Sequence, residues 1–232
     1  MENKISIIIP IYNESEILKE SIHQIKRKIS AENYIGEILL IDGGSTDNSI
    51  KIAQEIDEIQ LIHSPKGRPI QMNIGAKKAN YDILYFLHID SYPPENFDLH
   101  IIQEIQKGNL AGCFRMKFRS QHPWMKFIGW LTRFSFRACR GGDQSQFITK
   151  KLFNTIGGYN EDFLIYEDQL LISKLYQRKQ FVVIPKWLST SARRFEEVGV
   201  FKLQLIFWRI YFMKWLGKSS DSILKFYNSK AN

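Results

Sequence analysis

Three apolar segments of the chain end in polar residues whose types could do chemistry. The candidate residues at these three ends are Pro10, Tyr12, Glu14, Asp42, His88 and Asp90. A carboxylate at such a position can hold a divalent cation, and the cation can neutralise a diphosphate. Asp42 and Asp90 also suit plain structural roles in a turn or a helix cap, so residue type alone leaves both functions open.

A further pair of acids, Glu167 and Asp168, precedes an apolar series with helical spacing at Leu170, Leu171 and Leu175. Acids in the first turn of a helix are favoured by the helix dipole, which is a structural explanation for the pair. The functional alternative is a general base at the mouth of a pocket.

Two adjacent arginines, Arg193 and Arg194, follow the segment 190–192. A guanidinium group binds phosphate oxygens through charge-assisted hydrogen bonds, so the pair could hold a diphosphate. Because surface arginines are common, the pair alone does not indicate a site.

The apolar pattern predicts the elements that must position these groups. Strands are predicted at 5–10, 37–41, 59–63 and 83–87, and helices at 17–29, 48–56 and 70–80. Alternating strands and helices of these lengths indicate an α/β fold with a parallel sheet. Ligands of such sheets bind beyond the carboxyl ends of the strands. The three groups of polar residues are therefore expected at one edge of the sheet.

The composition is that of an ordinary globular chain. Of 232 residues, 44% are apolar and 24% are charged, which allows a sizeable core and excludes a disordered chain. No linker rich in Pro, Gly or Ser separates the two halves. We therefore predict one domain over 1–232, with a nucleotide-binding half at 1–95, an acceptor and catalytic half at 96–200, and an aromatic-basic helical segment at 201–232.

The charge balance is basic, with 32 Lys and Arg against 24 Asp and Glu, and a net charge of +8. This favours anionic partners without choosing among nucleotides, phospholipids and nucleic acid. No nucleic-acid-binding motif is present, so nucleic acid is not expected. Two cysteines are too few for a disulfide framework, and none has zinc-site spacing. The N-terminus lacks a signal-peptide pattern, so a cytoplasmic location is expected.

Two segments combine aromatic and basic residues. On a helix over 124–140, Lys126, Arg133, Arg137 and Arg140 would share a narrow arc, which predicts an interfacial amphipathic helix with a cationic face. The segment 201–215 is apolar around most of its circumference. Packing on the core explains both segments, and attachment to the inner face of a membrane is the alternative.

Taken together, five short motifs resemble the family 2 glycosyltransferases with the GT-A fold. They are Ile7–Glu14, Asp42–Ser49, Asn73–Ala76, His88–Asp90, and Gly157–Tyr159 with Glu167–Asp168. The resemblance runs from residue 5 to about 194, and 67–76, 142–144 and 191–194 look most like a small bacterial subgroup. It implies a single Rossmann-like domain that binds a nucleotide-diphospho-sugar, with a mixed, mainly parallel sheet flanked by helices.

The resemblance also implies roles for individual residues. The nucleotide-sugar would contact Pro10, Tyr12, Glu14, Asp42, Arg68, Asn73, His88, Arg193 and Arg194. Asp90 would bind Mn²⁺ or Mg²⁺, and Asp168 would be the catalytic base beside Glu167. The acceptor side would include Gly142, Asp143 and Gln144. The donor would be a UDP- or GDP-linked sugar, and the acceptor a small molecule or a lipid. One base and one displacement imply inversion at the anomeric carbon.

Several positions depart from the family pattern. Gly43 replaces the second acid of an Asp-Asp-Gly-Ser motif, and His88 replaces the first acid of an Asp-x-Asp motif. If the strand continued to residue 90, His88 and Asp90 would share a face. Ser191 and Phe195 break the Gln-x-x-Arg-Trp pattern of processive synthases, which favours transfer of a single sugar.

Two other functions fit the same fold. A nucleotidyltransferase would usually carry a loop rich in Gly, Arg and Lys after its first strand, whereas residues 12–15 contain none of these. A catalytically weak nucleotide-sugar-binding relative is suggested by His88 and Gly43. The presence of both Asp90 and Asp168 speaks against that alternative.

Overall fold

A mixed sheet of eight strands forms the centre of the computed structural model, which describes residues 4–141 and 144–231. The strands are β1 Ile5–Ile11, β2 Ile35–Asp42, β3 Gln60–His63, β4 Ile83–Phe86, β5 Ser91–Tyr92, β6 Ala111–Phe118, β7 Gln146–Thr149 and β8 Val182–Thr190. Their order across the sheet is β3-β2-β1-β4-β7-β6-β8-β5. Strands β1 to β4 pair in parallel, β7 is antiparallel to β4 and β6, and β6 is parallel to β8.

Helices cover both faces of the sheet. They are α1 Leu18–Lys26, α2 Ser49–Gln54, α3 Arg68–Lys78, α4 Phe97–Gln106, α5 Pro123–Leu131, α6 Lys150–Thr155, α7 Glu167–Gln177, α8 Arg193–Val198, α9 Val200–Trp215 and α10 Ser220–Ala231. This arrangement confirms the predicted α/β fold with a mixed, mainly parallel sheet.

The continuous apolar sequence of β1 reflects burial on both of its faces. Ile7 and Ile9 belong to the core beneath α1 and α4, and Ile8 belongs to the core beneath α3. Gly75 allows α3 to approach the sheet closely, because a Cβ atom there would lie 2.4 Å from Cγ2 of Ile8. The close packing of α3 holds its N-terminus at the edge where β1 and β2 end.

A third core joins the C-terminal helices to α5. Leu203, Ile206 and Ile210 of α9 are buried in the same cluster as Met125 of α5 and Phe195 of α8. Within residues 4–141 and 144–231, none of the helices has the length and apolar character needed to cross a bilayer. The proposed subdivision of the chain at 95 and 200 stays a prediction.

The structure corrects the expected geometry of His88 and Asp90. Strand β4 ends at Phe86, and the backbone N–H of Ser91 donates to the carbonyl of His88 to close a turn. The alternation of side chains along a strand therefore does not apply, and it cannot place His88 and Asp90 on one face.

The predicted amphipathic helix over 124–140 is also wrong in its second half. Helix α5 ends at Leu131, and Arg137 lies in a separate 3₁₀ turn. Arg140 is only 3% exposed, and its Nη2 donates to the carbonyls of Thr132 and Phe134. Those carbonyls lie at and just after the C-terminal end of α5, so Arg140 holds this chain segment together and does not contribute to a cationic face.

Candidate active site

The loops that follow β1 and β2 are joined by hydrogen bonds. The backbone N–H of Asn13 donates to Oγ of Ser45 at 2.9 Å, and Oδ1 of Asn13 accepts from the N–H of Thr46 at 2.8 Å. The N–H of Glu14 donates to Oγ of Ser49 at 2.8 Å. These bonds fix the loop that presents Tyr12 and Glu14 at the sheet edge.

Gln71 of α3 supports the same edge from inside the protein. Its buried side-chain amide donates to the carbonyl of Ile11 at 2.9 Å and to that of Ile41 at 2.7 Å. Ile11 is the last residue of β1 and Ile41 is the second-last residue of β2, so both acceptors lie where the sheet ladder ends. Gln71 therefore ties the carboxyl ends of β1 and β2 to the start of α3.

Asp42 occupies the buried position at the end of β2. Its carboxylate accepts from the N–H groups of Gly44 and Ser45 at 3.0 and 3.1 Å. Nδ1 of the exposed His63, the last residue of β3, lies 3.5 Å from Oδ2 of Asp42. The turn role that the sequence allows for Asp42 is therefore present, and His63 offers a ring nitrogen beside it.

Tyr12 presents an aromatic ring at the same edge. The ring is 37% exposed, and Nζ of Lys66 lies 3.8 Å from its centroid. A cation this close to the ring face is held by the quadrupole of the ring. The pair forms an aromatic and cationic surface beside the ends of β1 and β3, close to Pro10, which lies one residue before the end of β1.

Glu14 lies among charged groups from several elements. Its Oε2 is 3.4 Å from Nη2 of Arg193 at the start of α8. Burial raises the pKa of the Glu14 carboxyl above its usual value, Arg193 opposes the rise, and the carboxylates of Asp90 and Asp47 add to it. Glu14, Asp90 and Arg193 are therefore close enough to interact electrostatically.

The two arginines of the predicted pair lie in different surroundings. Whereas Arg193 contacts Glu14, Nη2 of Arg194 donates to the carbonyl of Ala231 at 2.8 Å, and its guanidinium lies near the ring of Tyr227. Arg194 therefore packs on α10, and Arg193 is the one placed with the site residues.

Asp90 follows β4 in the turn that leads to β5. Its backbone carbonyl accepts from Nη2 of Arg119 at 3.1 Å, and the Arg119 guanidinium stacks 4.4 Å from the ring of Tyr92. Among residues 4–141 and 144–231, no three or more His, Cys, Asp or Glu side chains cluster as a metal site. Mg²⁺ is often held by one or two carboxylates together with substrate phosphates, so a single Asp90 fits a cation that is shared with a diphosphate.

The acid pair begins α7 after an unusual backbone turn. Tyr166, which precedes the pair, has φ of 79°, in the left-handed region that non-glycine residues rarely occupy. Glu167 is buried and Asp168 is half-buried. Nη1 of Arg68 lies 3.7 Å from Oε1 of Glu167, which supplies a cation to the buried carboxylate.

Tyr159 and Asn73 hold the loop that precedes the acid pair. Burial raises the pKa of the Tyr159 hydroxyl well above its usual value, the charges of Asp168 and Glu167 add to the rise, and Arg68 opposes it. Asn73 donates to the carbonyl of Tyr159 at 2.9 Å and accepts from its N–H at 3.0 Å. The structure thus places Asn73 as a support for this loop.

The segment 66–68 connects the two groups of residues. Lys66 contacts Tyr12 in the loop after β1, and Arg68 contacts Glu167 at the start of α7. Gly67 between them has φ of +143°, and a Cβ atom there would lie 3.0 Å from Cδ2 of Leu164. Glycine is therefore the residue that fits this connection.

The predicted acceptor-side residues are only partly described. Gly142 and Asp143 lie outside the described residues. Gln144 is buried, and its Oε1 accepts from the N–H of Gly141 at 3.1 Å. Its Nε2 has no hydrogen-bond partner among residues 4–141 and 144–231.

Four residues that were not predicted from the sequence as site residues lie beside the candidate active site. They are His63, Lys66, Gln71 and Arg119. A usable signal existed for three of them, since His63, Lys66 and Arg119 end or closely follow strands whose carboxyl ends lie at this edge. Gln71 lies within a helix and gave no such signal.

The architecture is that of the GT-A glycosyltransferases. S. aureus TarS 1-349 superposes with a TM-score of 0.67 at 18% identity, over 82% of this chain and 61% of that one. TarS 1-349 in complex with UDP-GlcNAc gives 0.66 at 18% identity, over 81% and 58%. GalNAc-T7 with UDP, GalNAc and Mn²⁺ gives 0.66 at 17% identity, over 81% and 44%. At these identities the likeness concerns the fold.

Sequence comparison identifies the family. The profile of glycosyl transferase family 2 matches residues 6–160, and the chain belongs to this family. A curated relative from Proteus mirabilis (strain HI4320), undecaprenyl-phosphate 4-deoxy-4-formamido-L-arabinose transferase, is 25% identical over 206 residues. The match covers 85% of this chain, which spans 59% of the length of that relative.

Proposed function

We propose that this glycosyltransferase moves one sugar from a UDP- or GDP-linked donor to an acceptor hydroxyl, with inversion at the anomeric carbon. One observation carries the proposal: the segment 66–68 contacts both Tyr12 at the ends of the parallel strands and Glu167 at the acid pair. A donor bound at the strand ends would thereby lie beside the group proposed to act as base.

The donor would lie across the carboxyl ends of β1 to β4. Tyr12 with Lys66, and Asp42 with His63, would face the nucleoside, and Arg193 would hold the diphosphate. UDP and UDP-GlcNAc accompany structurally similar proteins, which supports a nucleotide-sugar as the donor class.

A divalent cation would be held by Asp90 and the donor. A bound Mn²⁺ or Mg²⁺ neutralises charge on a diphosphate leaving group. The structurally similar GalNAc-T7 is described with Mn²⁺, which supports this choice. His88 lies two residues before Asp90 in the sequence, and Glu14 interacts with Asp90 electrostatically. Both side chains would influence how strongly Asp90 holds the cation.

Asp168 would act as the general base. It would accept the proton of the acceptor hydroxyl while the acceptor oxygen bonds to the anomeric carbon. The bond from that carbon to the diphosphate breaks at the same time, and its electron pair leaves with the diphosphate. Glu167, buried and neutralised by Arg68, would position this base, since it lies next to Asp168 in the first turn of α7.

The acceptor is proposed to be borne by a lipid, with a small molecule as the alternative. The name of the Proteus mirabilis relative describes transfer to undecaprenyl phosphate, a lipid. The same inference places the protein at the inner face of the cytoplasmic membrane as a peripheral protein.

Product analysis tests the proposal against its nearest alternative. The protein would be incubated with UDP- and GDP-sugars, with and without Mn²⁺, and the released nucleotide identified by chromatography. Release of a nucleoside diphosphate with transfer of the sugar is expected. In a parallel incubation with a nucleoside triphosphate and a sugar 1-phosphate, release of pyrophosphate would instead identify a nucleotidyltransferase. Thermal stabilisation by a donor without any turnover would identify a binding relative.

A further inference from the structure

Exposed aromatic side chains cover one surface of α5 and α9. We call this surface, made of the exposed aromatic residues of 127–136 and 201–215, the aromatic patch. Phe136 is 69% exposed, Phe201 is 61% exposed and Trp215 is 78% exposed. An isolated exposed apolar residue is ordinary, but a contiguous group of large ones indicates an interaction surface.

Ring contacts make the aromatic patch continuous across the two helices. Trp124 has its ring centroid 5.6 Å from that of Phe127, 6.0 Å from that of Phe201 and 6.3 Å from that of Trp208. Phe127 stacks on Trp130 at 6.1 Å. Because Trp124 bridges α5 and α9, their exposed rings form one surface.

The two chain segments that carry the aromatic patch contain basic residues and no acidic ones. Residues 117–141 contain six Lys or Arg and no Asp or Glu, and residues 200–218 contain four and none. Arg140 is buried and serves the fold, and the other nine cations still exceed the net charge of the whole chain, which is +8. Aromatic side chains anchor proteins at the membrane interface, and basic residues on the same segments are attracted to anionic lipids. The composition of these segments therefore fits an anionic bilayer.

Exposed aliphatic side chains beside the aromatic patch favour a bilayer over nucleic acid. Leu205 is 60% exposed and Leu216 is 53% exposed, alongside the rings of α9. A leucine gains from contact with acyl chains, whereas single-stranded nucleic acid is bound by stacking of bases on aromatic rings. We propose that the aromatic patch and its cations dock the protein on an anionic phospholipid bilayer.

Docking at this surface would bring the candidate active site to the membrane. The ring of Tyr166, the residue before Glu167, lies 5.2 Å from the ring of Tyr211 on α9. Nζ of Lys214 lies 4.0 Å from the ring centroid of Phe163 in the same loop. The bilayer would thus supply the lipid-borne acceptor. This role of the docking surface rests on the proposed function.

Vesicle flotation tests the docking surface without any donor or acceptor. The full chain would be floated with phosphatidylcholine vesicles that contain about 30 mol% phosphatidylglycerol, and with pure phosphatidylcholine vesicles. Binding to the anionic vesicles is expected, with a blue shift of tryptophan emission as the rings enter the interface. Because exposed charges are screened, the bound fraction should fall at about 0.5 M NaCl.

Matched variants assign the binding to the aromatic patch. Lys126→Glu with Lys202→Glu should weaken binding by at least about thirtyfold, since each of the two lost cations contributes about 1 kcal/mol near an anionic surface and about 1.4 kcal/mol is a factor of ten. Lys77→Glu with Lys151→Glu changes the net charge equally on α3 and α6 and should leave most of the binding. Phe201→Ser with Trp215→Ser removes two highly exposed rings and should weaken binding without unfolding the protein.

The outcomes separate the docking surface from the proposed function. Failure to bind anionic vesicles, or equal loss in both charge-reversal variants, overturns the docking inference. So does binding of a short single-stranded RNA through the same residues in preference to the vesicles. Thermal stabilisation by UDP- or GDP-sugars, measured in the same preparations, reports on the proposed function independently of either result.

Discussion

Nη2 of Arg193 lies 3.4 Å from Oε2 of Glu14, although 179 positions separate the two residues in the sequence. The contact joins the loop after β1 to the start of α8, and so links the beginning of the chain to its C-terminal third. The next residue, Arg194, instead donates to the carbonyl of Ala231 on α10. Neighbouring arginines therefore provide a matched pair of substitutions.

Arg193→Ala should weaken donor binding, and Arg194→Ala should not. A hydrogen bond to a charged group contributes about 1.5–3 kcal/mol, so loss of the Arg193 contact should raise the Kd of a UDP- or GDP-sugar by at least about tenfold. Isothermal titration calorimetry measures this change. Arg194→Ala should lower the Tm through its lost contacts with α10. Equal effects of both substitutions on Kd would contradict the placement of Arg193 at the diphosphate.

Glu14→Gln should change how stability depends on pH. Because the folded pKa of Glu14 is raised above its usual value, the folded protein binds this proton more tightly than the unfolded chain does. The usual pKa of a glutamate is about 4.5. As the pH rises from this value through the raised pKa of Glu14, the wild-type protein should therefore lose stability relative to the variant. Thermal melts of both proteins from pH about 4 to about 8 measure the difference. If the stability difference between the two proteins changes with pH in the opposite direction, Arg193 lowers the pKa of Glu14 by more than burial raises it.

Local sequence pattern was sufficient to predict the four parallel strands β1 to β4 and the edge that carries the candidate site. The apolar runs before Asp42 and Asp90 predicted β2 and β4, because buried parallel strands need continuous apolar residues. The parallel arrangement then placed their polar ends at one edge. The start of α7 at Glu167 agrees with its acids and with the leucine spacing that follows.

Long-range contacts were beyond prediction from the same pattern. Nothing local to Arg193 and Arg194 tells which one faces Glu14, since the answer depends on how α8 packs against α9 and α10. Gln71 likewise bonds to Ile11 and Ile41 only because α3 lies close on the sheet. The predicted helix over 124–140 failed because its periodicity took no account of Arg140 bonding to the carbonyls that follow α5.

Asp90→Asn should reduce the dependence of donor binding on Mn²⁺. An amide is a weaker ligand for a hard cation than a carboxylate, and Asp90 is the single acid proposed to hold it. In thermal-shift titrations, Mn²⁺ should strengthen UDP- or GDP-sugar binding to the wild-type protein and have much less effect on the variant. Asp47→Asn is the control, because it also removes an acid near Glu14. If Asp90→Asn responds to Mn²⁺ as the wild type does, Asp90 does not hold the cation.

Gly75→Ala should destabilise the fold, contrary to helix propensity. Alanine is more favourable than glycine in a helix by about 1 kcal/mol, but its Cβ atom would lie 2.4 Å from Cγ2 of Ile8. Overpacking of this kind typically costs about 1–3 kcal/mol, so a net loss is expected in chemical denaturation. Lys77→Ala, at an exposed position on the same helix, should have little effect. A more stable Gly75→Ala variant would show that α3 can move away from β1.

Asp168→Asn should separate chemistry from donor binding. If Asp168 takes a proton from a hydroxyl acceptor, kcat should fall by about 10²–10⁴, because that is the usual contribution of a general base. The Kd of the donor should stay close to wild type, since Asp168 is proposed to face the acceptor. Glu167→Gln is the informative companion: it removes the charge next to Arg68 while leaving Asp168 in place, so its main effect should be on stability. A phosphate acceptor is already an anion and needs no base. Near wild-type turnover of Asp168→Asn would therefore reject Asp168 as the base and direct the search to phosphate-bearing lipids.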